Sequence, residues 1–384
     1  MQDRQAVPRP QNLSLWTSFL LAIVFQAMPA QAQASLEATA PLRVAVVGLT
    51  HGHVAGFLPQ LKQHPEIELV GIEEPDQELA SKYQRRFQLS PGMFYTQIAT
   101  MLERTHPQAV LVYTAVGDHR HVIEVAADHG VSVMVEKPLT ISLPDALAIR
   151  DTAHQHHIQV LVNYETTWYA SNTAVYNELQ AGKLGEVRKV IVRDGHEGPK
   201  EIGVGPEFLS WLSDPAKNGA GAMYDFGCYG ADLVTWLMHG EAPLSVTAVA
   251  QTDKPGIYPR VDDDSTVVLR YPKAQAILLG SWNWPFAVKN MEVYGTGGYS
   301  MTEEMSQVHL RYTGQKQAAL VTVPPLSSPN NGSISYLVAV MNGQLVSNGD
   351  LSALDTNVVV MQILDAARTS ARTGKTVSLE PLPR

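Results

Sequence analysis

Between Leu42 and Asn163 the apolar positions come in short solid runs. Leu42–Val47 (LRVAVV), Ile67–Ile72 (IELVGI), Ala109–Tyr113 (AVLVY), Val131–Val135 (VSVMV) and Gln159–Val162 are rich in β-branched residues. Runs of this kind read as strands buried on both faces. Helical stretches alternate with them over Val54–Gln63, Gln97–Thr105, Val122–His129 and Leu143–His156. The alternation predicts an α/β Rossmann domain, doubly wound on a mostly parallel sheet, over residues 41–163. From about Tyr164 the pattern changes. Tyr176–Ala181 closes a helix and Gly185–Val192 begins a strand. Ser245–Gln251, Thr266–Tyr271, Ala276–Trp284, Lys289–Tyr294 and His309–Tyr312 then alternate as antiparallel strands do, and Val358–Arg372 reads as a closing helix stopped by Gly374. These predict a second, α+β domain over residues 164–384, with a large open, mainly antiparallel sheet.

One apolar run belongs to neither half. Leu13–Met28 follows Arg4 and Arg9 and precedes Pro29 and the small-residue stretch Ala30–Ala34. A weakly basic head, an apolar middle and an Ala-x-Ala tail predict a secretory signal peptide over residues 1–34. The expectation is a secreted or periplasmic protein that starts near Ser35, with no stable membrane insertion after cleavage. Composition narrows the rest. Apolar residues make up 45% of 384 and charged residues 17%, as in soluble globular proteins. A net charge of −9 without a basic block argues against nucleic acid as a partner. The single cysteine, Cys228, excludes an internal disulfide and a cysteine zinc site, and no metal site is expected.

The candidate chemistry sits where the predicted strands end. Gly48-Leu49-Thr50-His51-Gly52-His53 joins the first strand to its helix. Glycine there lets backbone approach a pyrophosphate, and the helix start offers free N–H groups. The full G-x-G-x-x-G pattern is not met, since Thr50 and His53 stand at its second and third glycines. A little over 20 residues on, Glu74 (or Glu73) ends the second strand where an acid grips the adenosine ribose in this fold. That favours NAD, with NADP left open by Arg85 and Arg86 nearby. Val131–Val135 runs into Glu136-Lys137-Pro138, and a lysine at the carboxyl end of a buried strand points into the ligand crevice.

Three stretches together resemble the Gfo/Idh/MocA family of oxidoreductases: Gly48–His53, Val116–His121 and Glu136-Lys137-Pro138. Members carry a T-P-N-x-x-H turn and an E-K-P turn at the carboxyl edge of the Rossmann sheet. Here the first becomes Val116-Gly117-Asp118 with His121 as the histidine, and the second is intact. The resemblance implies that Gly117, Asp118 and His121 line the cofactor. It places Lys137 beside the nicotinamide and the reacting carbinol, with Glu136 holding the nicotinamide ribose or the lysine. Later, Gly219–Asp232 matches the family's G-G-G-x-x-x-D-x-G-x-H-x-x-D at Asp225, Gly227 and Asp232. Tyr229 stands where many members have a catalytic histidine, as in the glucose–fructose oxidoreductase and dihydrodiol dehydrogenase branch. Asp225 and Tyr229 are four apart, so a helix would face both one way. Tyrosine has an ordinary pKa of about 10, and the ammonium of Lys137 is expected to lower it.

The implied activity is an NAD(P)-dependent oxidation or reduction of a sugar, polyol or related carbinol, with a tightly held cofactor and a homo-oligomer (dimer or tetramer) built through the second sheet. Asn163 and Trp168 would line the substrate together with Asp225 and Tyr229. Two other activities share these residues: an NAD-dependent glycosidase working by oxidation and elimination, and a non-catalytic nucleotide- or sugar-binding protein. Trp282 and Trp284 offer flat faces for a sugar ring, and His196 and Tyr258 are loop residues within reach of the pocket.

Overall fold

The computed structural model describes residues 40–383. The expected signal peptide lies outside the described residues, and among those described no helix is long and apolar enough to cross a membrane. The first half alternates as its apolar runs predict: β1 (Leu42–Val47), α1 (Val54–Gln60), β2 (Ile67–Glu73), α2 (Gln77–Phe87), β3 (Phe94–Tyr95), α3 (Ile98–Thr105), β4 (Ala109–Val112), α4 (His119–Asp128), β5 (Ser132–Glu136), α5 (Leu143–His156) and β6 (Val160–Asn163). Its six strands are all parallel in the order β3-β2-β1-β4-β5-β6. The order reverses at β1, which opens a crevice outside the carboxyl ends of β1 and β4.

After β6 come α6 (Ala170–Gln180), β7 (Val187–Gly195), α7 (Pro206–Leu212), α8 (Pro215–Asn218), α9 (Ala222–Asp225) and α10 (Gly227–Leu237). Seven strands follow: β8 (Ser245–Gln251), β9 (Asp264–Arg270), β10 (Gln275–Ser281), β11 (Val288–Gly295), β12 (Gly298–Glu303), β13 (Gln307–Tyr312) and β14 (Ala319–Thr322). The chain ends with α11 (Ser333–Met341), α12 (Leu354–Thr373) and β15 (Val377–Ser378). The nine-stranded sheet runs β14-β13-β12-β11-β7-β10-β9-β8-β15, antiparallel except at β7–β10.

The halves are tied together. One face of the first sheet (Val44, Val46, Leu111, Met134) packs against α1, α2 and also α11, through Ile334 and Leu337. The other face (Ala45, Val47, Val110, Val133) joins a core continuous with α10, α12 and the second sheet. Val162 N donates to Ser352 O at 3.0 Å, and Tyr164 Oη donates to Asn357 Oδ1 at 2.9 Å. Burial on both faces is the reason the strands read as solid apolar runs.

The site depends on how β7, α9 and α10 meet. Asp262 accepts from Gly221 N (2.8 Å) and Met223 N (2.7 Å), and so clamps the glycine-rich approach to α9. A Cβ on Gly221 would lie 1.7 Å from the Asp262 carbonyl oxygen, so only glycine fits there. The neighbouring Asp263 and Asp264 are likewise spent on hydrogen bonds, to Asp253 N, Lys254 N and Ser281 Oγ.

Candidate active site

A cavity of about 560 Å³ opens between the halves, walled by Gly52, His53, Lys137, Asp225, Tyr229 and Lys289 and reaching Lys82 and Arg86 on α2. Lys137 leaves β5 as the strand ends and is 6% exposed. Its Nζ donates to Asp225 Oδ1 at 2.5 Å and to the Asp225 carbonyl at 2.9 Å. Trp282 Nε1 donates to Asp225 Oδ2 at 2.9 Å. Burial alone would push both charges toward neutrality. Their mutual attraction wins, holding Asp225 below the usual carboxylate range and Lys137 above the usual lysine value. Asp225 is therefore a saturated carboxylate that aims an ammonium into the cavity. Trp282 is fully buried and supports Asp225, so it is not a platform for a sugar ring.

Asp225 and Tyr229 do share the cavity, although the helix breaks at Phe226 between them. The electrostatics of Tyr229 differ from the expectation. Burial, followed by Asp194, Cys228, Glu165 and Asp225, pushes its phenol well above 10. Lys137 Nζ lies 4.9 Å from the ring centroid, over the ring, and its hydrogen bonds go to Asp225. The phenol is thus held protonated. Cys228 is buried with its thiol pushed up, a packed residue without nucleophilic character.

Two further groups stand close to Tyr229, one lining the cavity and one buried beside it, and neither was singled out in the sequence. Lys289, on β11, ion-pairs with Glu165 and places its Nζ 4.8 Å from the Tyr229 ring centroid. Directly opposite it in register, on β7, is Asp194. Asp194 is buried, its Oδ1 has no partner among the described residues, and burial pushes it well above the carboxylate range despite Lys289 and Lys137. His196 also reaches the cavity, whereas Tyr258 is buried and donates to Glu201.

The nucleotide side is only partly as expected. Gly48 has φ 79°, and a Cβ there would come within 2.6 Å of Thr114 Cγ2, so the tight turn after β1 requires glycine. Gly52 and His53 face the cavity. Glu74 does not. It is 3% exposed and accepts from Leu49 N (2.8 Å) and Asp76 N (2.9 Å), shaping the turn rather than presenting a carboxylate to a ribose. Thr50 and His51 lie under α7, where Trp211 Nε1 donates to Thr50 O at 3.4 Å and Phe208 stacks 4.7 Å from His51. Gly117 lets the α8 backbone approach, since a Cβ there would sit 3.2 Å from Ala216 O. Asp118, just before α4, and His121, on α4, are exposed and line no part of the cavity. The histidine that matters structurally is His119, two residues earlier. It is fully buried, with Nδ1 3.1 Å from Leu139 O beyond the E-K-P turn, and burial pushes it down to about 4. Counted from Thr114, the spacing T-x-x-x-x-H ends on His119.

Glu136 is bonded not to Lys137 but to its other neighbours. Its Oε2 lies 2.9 Å from His53 Nδ1, and its Oε1 accepts from Asn163 Nδ2 at 2.9 Å. Asn163 Oδ1 in turn accepts from Trp168 Nε1 at 3.1 Å. Asn163 and Trp168 border a second cavity, of about 430 Å³, that shares His53 and Gly52 with the first.

These observations decide the family together with two sequence matches. Residues 42–164 match the model of the oxidoreductase family with an NAD-binding Rossmann fold, and residues 173–300 match the GFO/IDH/MocA C-terminal domain. The chain belongs to the Gfo/Idh/MocA oxidoreductase family. Among relatives, this Gfo/Idh/MocA chain is 27% identical over 206 residues to dTDP-3,4-didehydro-2,6-dideoxy-alpha-D-glucose 3-reductase of Saccharopolyspora spinosa, covering 54% of this chain and 58% of the relative. It is 24% identical over 226 residues to trans-1,2-dihydrobenzene-1,2-diol dehydrogenase of Xenopus tropicalis, covering 57% and 63%. The chain thus spans about three fifths of the length of these relatives. In fold it is similar to the aldose-aldose oxidoreductase of Caulobacter crescentus, with TM-score 0.75, 21% identity, and coverage of 88% of this chain and 100% of that one.

A dinucleotide fits what this family member offers. The turn at Gly48 is tight, Gly52 lines the cavity beside Phe208, and Arg86, Lys82 (paired with Glu207) and Lys137 (paired with Asp225) line the same cavity. A glycine-containing turn between the first parallel strand and its helix, with Arg86 in the same cavity, matches the pyrophosphate of a dinucleotide.

Proposed function

We propose that the chain is an NAD(P)-dependent oxidoreductase acting on a CH–OH group of a sugar, polyol or related carbinol. The observation that carries this reading is the Lys137–Asp225 pair in one cavity with Tyr229 and the Gly52–His53 turn. The nicotinamide, when bound, supplies the hydride acceptor or donor. Gly52, His53, Lys82 and Arg86 would hold the cofactor, and the last two leave room for the 2′-phosphate of NADP. The Lys137 ammonium would bind the carbinol oxygen and stabilise negative charge on it. Asp225, fixed by Trp282, positions that ammonium. Tyr229 would carry the proton, giving it to the alkoxide in carbonyl reduction and taking it from the hydroxyl in oxidation. Lys289, Glu165 and His196 would meet the remaining hydroxyls.

The outer face of the second sheet leaves Val249 and Leu320 more than half exposed, which supports a homo-oligomer, dimer or tetramer, through that face. Export through residues 1–34 would place the enzyme in the periplasm or outside the cell, where a retained cofactor suits the scarcity of free NAD. The test is mass spectrometry of small molecules released by denaturing the purified full chain. The expected result is NAD(H) or NADP(H) near one per chain. A nucleotide-free preparation with no affinity for either dinucleotide overturns the reading.

A further inference from the structure

The His51-Gly52-His53 turn has more chemistry than a nucleotide loop needs. His51 and His53 extend from the turn after β1, and Glu136 arrives from the end of β5. One donor atom from each lies within 4.8 Å of the others. His51 is 1% exposed and Glu136 3%, while the His53 side chain is about half exposed. We propose that His51, His53 and Glu136 form a binding site for a divalent first-row metal ion of the zinc or manganese class, with a coordination position open toward the cavities on either side of His53.

Four observations support it. Two imidazoles and one carboxylate are the donor set of three-ligand metal sites that keep a position for water or substrate. A zinc ion with bonds of about 2.0–2.2 Å holds its ligands roughly 3.5 Å apart. His53 Nδ1 and Glu136 Oε2 are already 2.9 Å apart, and bringing all three donors from within 4.8 Å to the zinc-ligand spacing needs only small side-chain shifts. The outer support is already in place, because Trp168 donates to Asn163 and Asn163 donates to Glu136 Oε1. Such partners orient ligating carboxylates in metal centres. Finally, the local charge admits a dication. Lys137 is neutralised by Asp225 and Lys289 by Glu165, which leaves the Glu136 carboxylate unbalanced except by its contact with His53. A bound ion takes the place of the His53–Glu136 hydrogen bond. At His51 it either displaces the 3.2 Å contact from His53 N to Nδ1 or replaces a proton on Nε2.

The experiment uses tag-free full-length protein stripped with a chelator and titrated with Co²⁺ under visible absorption, then with Zn²⁺ in competition. No nucleotide or substrate is added, so the outcome is independent of the proposed activity. One Co²⁺ per chain is expected, with ligand-field bands displaced by one equivalent of Zn²⁺. His53→Ala, at an exposed position that tolerates truncation, should weaken binding by more than about 100-fold, and Asn163→Ala by about 10- to 100-fold. His121→Ala should change nothing. Circular dichroism checks that each variant is folded. Absence of stoichiometric binding, or binding unchanged in folded His53→Ala, overturns the proposal.

Discussion

The two sheets supply the site in different ways. The parallel sheet delivers its groups at the carboxyl ends of two strands that flank β4. Gly48–His53 follows β1 and Glu136-Lys137 closes β5, each within a few residues of an apolar run. The mixed sheet delivers single residues from separate strands: Asp194 from β7, Lys289 from β11, and Trp282 just beyond β10. The difference shows in two buried acids. Asp225 meets Lys137 and Trp282 and stays ionised, whereas Asp194 has an unpartnered oxygen and is pushed toward the neutral acid. A local motif brings its partner to hand. A strand residue has only what register places beside it.

The strongest way to break this contrast is at Lys137. Lys137→Met should lower kcat/KM by about 10³-fold or more. It also strands Asp225 without its cation, at a cost of about 3–5 kcal/mol in urea unfolding. Adding Asp225→Asn should restore part of the stability and none of the turnover. Recovery of turnover would assign Lys137 a structural role only. Tyr229→Phe comes next, with kcat expected to fall about 10²-fold or more and dinucleotide affinity to stay within about twofold. Unchanged kcat would make Tyr229 a packing residue. Lys289→Met should be milder, raising KM for the carbinol substrate about tenfold with kcat within about threefold, in steady-state kinetics. An effect on kcat equal to that of Tyr229→Phe would put both sheets in the chemistry.

The smallest effect lies at the end of β2. Burial, then Glu74, pushes Glu73 up to about 7. Its pKa in the unfolded chain is about 4.3, so the folded state holds the proton more tightly. Stability from this group is present at low pH and is lost as pH rises from about 4.5 through 7. Glu73→Gln should therefore stabilise the protein by about 1–3 kcal/mol at pH 8 and by close to zero at pH 4.5, in urea melts at the two pH values.

Legibility in the sequence follows the same division. Solid β-branched runs exposed the parallel sheet, and Glu136-Lys137-Pro138 and Asp225 stood in short motifs. Direction and burial were not legible. Spacing placed an acid at Glu74 but not that its oxygens turn inward to Leu49 and Asp76. The T-x-x-x-x-H turn was read two residues late, so exposed His121 stood in for buried His119. The expected effect of Lys137 on Tyr229 failed because Asp225 takes up the ammonium and burial dominates the phenol. Lys289 and Asp194 carry no local signal, since their meeting depends on pairing residues about a hundred positions apart. The short apolar helix α11 gave no cue that it covers a sheet whose last strand ends at Asn163.

Label transfer tests the convergence of Lys137 and Tyr229 on a nicotinamide most directly. Full-length protein would be incubated with oxidised nicotinamide cofactor and carbon-perdeuterated aldoses and polyols, and the recovered dinucleotide read by mass spectrometry and NMR. Deuterium should appear at nicotinamide C4 with at least one substrate, and should fall to background in Lys137→Met and by about 10²-fold in Tyr229→Phe. Dinucleotide that binds yet gains no deuterium from any of them, or label transfer that survives Lys137→Met, would contradict the site described.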